Sequence, residues 1–115
     1  MTEEKAMRRD WDLIRELLLA IEKLEPGYHF VAQPIGEHSL ESVNYHIHLL
    51  EHAGLVECVE YHPWSGDPGR VATALTLIGH DLLDSIRDDD TWRAKKNILL
   101  ARLGVISYDA LRKSA

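Results

Sequence analysis

The stretch Ser39-Leu40-Glu41-Ser42-Val43-Asn44-Tyr45-His46-Ile47-His48-Leu49-Leu50-Glu51-His52-Ala53-Gly54-Leu55 decides the fold. Ser39 has the side-chain oxygen that caps a helix start, and Glu41 suits the positive end of the helix dipole. Leu40, Val43, Ile47 and Leu50 recur at helical spacing and predict one buried stripe, with His46 at its edge as a partly buried, hydrogen-bonded histidine. Gly54 ends the helix and Leu55 packs just beyond it. Val56 to His62 then has strand character, Pro63-Trp64-Ser65-Gly66-Asp67-Pro68-Gly69 is a dense turn signal, and Val71 to Leu77 alternates as a returning strand. The pair reads as a β-hairpin with a long loop.

Toward the N-terminus, Trp11, Ile14, Leu17, Leu18, Ile21 and Leu24 predict an amphipathic helix over residues 9–25, stopped by Pro26-Gly27. Tyr28-His29-Phe30-Val31 is a short β-like run. Toward the C-terminus, Thr76 caps a third helix running to about Arg87. Asp88-Asp89-Asp90-Thr91 opens a fourth, with Trp92, Leu99 and Leu103 on one face and Gly104 as its stop. Ser107 caps a last short helix that ends on Arg112-Lys113.

The order helix, short strand, helix, hairpin, helix, helix predicts an α+β domain over residues 1–115. Its core, residues 9–87, is of the winged helix-turn-helix type, and residues 88–115 form a C-terminal helical extension. Leu49-Leu50 followed by Ala53-Gly54-Leu55 resembles the recognition helix of small winged-helix repressors and its turn into the first wing strand. The extension carries too many apolar side chains for a solvated tail. A homodimer is therefore expected, with Trp92 and Leu99 packed internally and Leu103, Ile106 and Tyr108 nearer the interface.

Composition narrows the class. The 115 residues are 45% hydrophobic and 28% charged, as in ordinary globular chains. One cysteine, Cys58, excludes an internal disulfide and a cysteine-cluster zinc site. No apolar run reaches the roughly 20 residues of a membrane span. Met1-Thr2-Glu3-Glu4-Lys5 is too polar to open a signal peptide, so a cytoplasmic location is expected. Net charge is −6, with 5 Lys/Arg against 12 Asp/Glu in residues 1–60 and 8 against 7 thereafter. Phosphate binding needs a local basic excess, which only the second half offers.

Glu41, Tyr45, His48 and His52 project from the side of the second helix opposite its stripe. Ser42 and Asn44 reach base edges if this helix enters a groove, and Glu41 accepts from a cytosine amine. Arg70 is the hairpin's one basic residue, and Arg93, Lys95 and Lys96 form the densest basic patch. These nine residues (Glu41, Ser42, Asn44, Tyr45, His48, Arg70, Arg93, Lys95 and Lys96) are the contact candidates for DNA or a protein partner. His48, Glu51 and His52 spell an inverted zinc-peptidase motif, His-x-x-Glu-His, but no third ligand follows.

Three stretches together resemble an uncharacterised bacterial and prophage family, domain of unknown function 2513. They are Arg8 to Arg15, Tyr45 to Leu55, and Leu75 to Asp88 with Trp92 later. Trp11 stands where that family usually has Met. The resemblance implies a winged-helix-like fold and an origin in phage or integrated elements, and it carries no catalytic residue, substrate or cofactor. The expected function is a small winged-helix regulatory or accessory protein that binds DNA weakly or as a dimer. The alternative is a protein–protein interaction module, and the remote alternative is a metal-dependent hydrolase through His48-Glu51-His52. No enzyme activity, metal or other cofactor is expected.

Overall fold

The computed structural model describes residues 7–113; the polar Met1–Lys5 segment lies outside them. The described chain is α+β, with five helices and one two-stranded antiparallel sheet. In order these are α1 (Trp11–Glu22), α2 (Leu40–His52), β1 (Val56–Tyr61), β2 (Gly69–Leu75), α3 (Leu77–Ile86), α4 (Asp89–Leu103) and α5 (Tyr108–Lys113).

Local chemistry sets the helix boundaries. Asp10, Ser39, Thr76 and Asp88 each cap a following helix by accepting a backbone N–H from its first turn. Ser107 does the same for α5 through Ala110 N–H at 3.1 Å. Gly104 closes α4 at φ 73°, a left-handed backbone that a side chain resists. Gly54, at φ 76°, turns the chain from α2 into β1. Helix α1 stops at Glu22, with Lys23 as its cap, three residues short of the expected Glu25.

Helix α1 is the central beam. Its Leu13, Ile14, Leu17, Leu18 and Ile21 are buried among Val43, Ile47 and Leu50 of α2, Leu55, Val56, Ala72 and Leu75 of the hairpin, and Leu82, Leu83 and Ile86 of α3. Each such side chain contributes about 1.5–3 kcal/mol by leaving water. Among the described residues, no helix is long and apolar enough to cross a membrane.

The hairpin pairs Val56 with Leu75 and Tyr61 with Gly69, with a bulge after Glu57. Tyr28–Val31 does not form a strand. Its one ladder-like bond runs from Phe30 N–H to the Ala72 carbonyl at 2.8 Å. Leu40 was expected in the buried stripe but is exposed at the start of α2; the core of that helix instead includes His46.

Residues 88–113 share the same core. Trp92, Leu99, Ile106 and Leu111 are all buried in it. Leu103 departs from the expected face with Trp92 and Leu99 and is exposed. Ile106, expected near a dimer interface, packs in the core, and its carbonyl accepts both Trp11 Nε1 at 2.8 Å and Arg9 Nη2 at 3.0 Å.

Candidate functional site

The contact candidates fall into two groups, held by different partners. On α2, Glu41, Asn44 and His48 are exposed, whereas Ser42 and Tyr45 are half-buried. Ser42 is committed to the backbone: its N–H donates to Ser39 Oγ at 3.1 Å, and its carbonyl accepts from His46 Nδ1 at 2.8 Å. Tyr45 lies edge-on against His46, ring centroids 5.7 Å apart.

His46 is fully buried, and its bonds fix its tautomer. Asp10 N–H donates to Nε2 at 2.8 Å, so Nε2 must be the bare nitrogen and Nδ1 carries the proton. The imidazole thus ties the entry of α1 to the middle of α2. Asp10 also faces His38, with Nε2 and Oδ2 3.4 Å apart. This junction was legible only in part: a histidine at the stripe's edge announces burial, but its partner lies 36 residues away.

The basic candidates are mostly spent on the protein itself. Arg70 makes a bidentate pair with Glu51, Nε to the two carboxylate oxygens at 3.0 and 2.9 Å and Nη2 to Oε2 at 2.6 Å, and also donates to the Cys58 carbonyl. The guanidinium holds the Glu51 carboxyl below its usual range. Burial, and then the Glu51 charge, push the neighbouring Cys58 thiol up to about 11, leaving it an inert thiol. Lys95 Nζ donates to the Ser85 carbonyl at 2.9 Å. Lys96 Nζ donates to Asp12 Oδ1 at 2.8 Å and sits 5.2 Å from the Trp92 ring centroid. Arg93 is exposed, with one long ion pair to Asp90 at 3.4 Å.

Asp12 is the hub of that second group. Burial would raise its carboxyl, but the Lys96 ammonium and the Trp92 indole N–H that bond it bring it below the ordinary value. Asp12 and Arg9 also line a cleft of about 430 Å³ with Trp11, Lys96, Asn97 and Leu100; there Lys96 bonds Asp12, and Arg9 and Trp11 bond the Ile106 carbonyl.

His48 and His52 stand one turn apart on exposed α2, ring centroids 4.2 Å apart and tilted by 58°. Glu51, the would-be base of the inverted peptidase motif, is the residue clamped by Arg70. Among the described residues no group of three or more His, Cys, Asp or Glu is placed to hold a metal ion.

Along α2 and the hairpin carboxylates outnumber cations, and the cation there, Arg70, is paired with Glu51. Between Lys23 and Arg70 the chain has no Lys or Arg, yet it carries Glu25, Glu37, Glu41, Glu51, Glu57, Glu60 and Asp67. Exposed among these carboxylates are Tyr28, Val31, Val59, Tyr61 and, at the hairpin tip, Trp64 with its whole side chain in solvent. The Trp64 ring therefore does not cap the hairpin.

These features define a small α+β protein of five helices and one two-stranded hairpin, with exposed aromatic residues at and near the hairpin. The chain belongs to the family described as "Hypothetical protein (DUF2513)", whose model matches residues 8–105. It is similar to an uncharacterized protein of Haemophilus influenzae, 36% identical over 110 residues, covering 95% of this chain and 92% of the relative. No solved structure matches it.

The geometry explains what the three family-like stretches do here. Asp10 of the first bonds His46 of the second. Arg15 of the first donates to the Ile86 carbonyl of the third, and Asp12 accepts from Trp92. Thr76 N–H of the third donates to the Leu55 carbonyl of the second. The stretches that carry the resemblance meet around α1 and hold the fold together.

Proposed function

We propose that this chain is a winged-helix-like accessory protein that binds a basic segment of a protein partner through its hairpin and the exposed face of α2. The observation that carries this reading is the uninterrupted run of acidic character from Lys23 to Arg70, on which exposed aromatic rings are mounted. A phosphate backbone meets repulsion there, because the one basic residue at its edge, Arg70, is neutralised by Glu51. A cationic peptide meets attraction, and Trp64, Tyr61 and Tyr28 offer rings for both apolar and cation–π contact.

The DNA reading keeps one argument, the helix–turn–strand corner at Ser39–Leu55. It then draws on Arg93 and the ends of Lys95 and Lys96, all of which belong to α4. The two readings separate in one pair of assays. Peptides selected from a random displayed library against the whole chain should carry net positive charge, and their binding should fall on Trp64→Ala and on Glu57→Gln with Glu60→Gln. Mobility-shift titrations on random fragments should stay blank at low salt. A shift whose log affinity falls with log salt at a slope of about −3.6, the signature of roughly four phosphate contacts, would replace the protein reading with the DNA one.

A further inference from the structure

We propose that His48 and His52 form a bidentate half-site for a divalent transition-metal ion, zinc foremost, and that a second copy of this chain completes it as a four-histidine bridge.

The argument starts from ring geometry. A tetrahedral metal bound at about 2.0–2.1 Å from each nitrogen puts the centroids of two imidazoles roughly 5 Å apart. The His48 and His52 centroids are 4.2 Å apart, so the two exposed rings must open by about 1 Å to chelate an ion, a movement within reach of side-chain rotation. Neither imidazole has a hydrogen-bond partner among the described residues, so no existing bond is broken. By contrast His46 has both ring nitrogens engaged, and His38 and His62 each face a carboxylate.

The field at this place also favours a cation. His52 is the last residue of α2, where the negative end of the helix dipole lies. The surrounding chain carries carboxylates with no Lys or Arg until Arg70. Imidazole pairs suit zinc, nickel and copper, and zinc asks for a closed set of four ligands when it is structural.

One copy supplies only two of those four. Glu51 is the nearest further candidate in sequence, and Arg70 holds both its oxygens. A two-fold axis through the ion brings the same exposed pair from a second copy, which is the self-complementary arrangement that closes. The ion also offsets the repulsion between two chains of net charge −6. This places the two-fold on α2 and not on the C-terminal segment. The bridge occupies the exposed face of α2 that the partner reading above also uses, but it needs neither Trp64 nor the hairpin carboxylates, so loss of zinc binding and loss of peptide binding are separable by His48→Gln and Trp64→Ala.

The test uses the full chain without a histidine tag, titrated with zinc at micromolar concentration and followed by calorimetry and light scattering. The expected result is one ion per two chains and a mass that doubles from 13.1 kDa. Chelator should reverse it. His48→Ala, His52→Ala and the size-conserving His48→Gln should each abolish it with unchanged far-ultraviolet circular dichroism, and His62→Ala should leave it intact. No zinc uptake, uptake of one ion per chain at unchanged mass, or a doubled mass that survives chelator or the His48→Gln change would each overturn the proposal.

Discussion

Trp92 and Trp64 are the same residue type in two differently built regions. Trp92 is 3% exposed, wedged between α4 and α1, with its indole N–H on Asp12 and the Lys96 ammonium near its ring. Trp64 is fully exposed at the hairpin tip. Around Trp92 nearly every basic side chain is bonded to the protein, and around Trp64 nearly every charge is negative and faces solvent. Most of these cations are paired with carboxylates of the protein itself, and the carboxylates in excess of them face solvent.

The comparison breaks most visibly at Trp92. Trp92→Ala should cost about 3–5 kcal/mol in urea unfolding, the range for a buried large aromatic. A loss below 1 kcal/mol would mean that the helical side is not the firm one. Leu50→Ala, on the acidic side but 1% exposed, should cost about 2–5 kcal/mol. That result would sharpen the contrast by showing that the two regions differ in surface and not in core.

Gly79→Ala tests the seam between them. A Cβ at this buried first-turn position of α3 would run into the Leu55 carbonyl oxygen, backbone that cannot swing aside. A loss of roughly 1–3 kcal/mol is expected, as for other overpacked sites. Stability equal to the parent would show that the α3–hairpin seam is loose.

Asp12→Asn should have a smaller effect, at most about 1 kcal/mol near neutral pH because the pair is partly screened. The folded-state carboxyl lies below its ordinary value near 3.8, so its contribution is complete above that value and is lost as pH falls through the lower one. The stability difference between parent and variant should therefore hold from pH 7 to 5 and close only below pH 3.8. A gap that closes already near pH 6 would assign the effect to another group. Smallest of all, Trp64→Ala should change stability by no more than about 0.5 kcal/mol while removing binding to the selected basic peptides.

What sequence could reveal followed the range of the interaction. Ser39, Thr76, Asp88 and Ser107 act within three residues of themselves, so their caps were legible, as were the glycine stops at 54 and 104. Tyr28–Val31 looked like a strand because its composition fits one, yet strandhood needs a neighbour, and only Phe30 finds one. The candidate site was less legible for the same reason. Lys96 read as a free cation because Asp12, its partner, is 84 residues away. Arg70 and Glu51, 19 residues apart, cancel each other across the corner from α2 to the hairpin, a contact that helical spacing cannot show. Of the face Glu41, Tyr45, His48 and His52 that helical spacing defines, Glu41, His48 and His52 are exposed as expected, while Tyr45 is half-buried because its ring packs edge-on against His46.

The carbonyl of Ile106 takes bonds from Trp11 and Arg9, residues 95 and 97 positions earlier. A ribosome makes the chain in the opposite order. Arg9 and Trp11 emerge well before their acceptor, so until Ile106 arrives the indole N–H is bonded to water and the ring cannot take its buried place. Contacts this distant in sequence form slowly, and apolar surface stays open meanwhile. The hairpin shares one core with the late-arriving Trp92, Leu99, Ile106 and Leu111, so its own packing is complete only when they join.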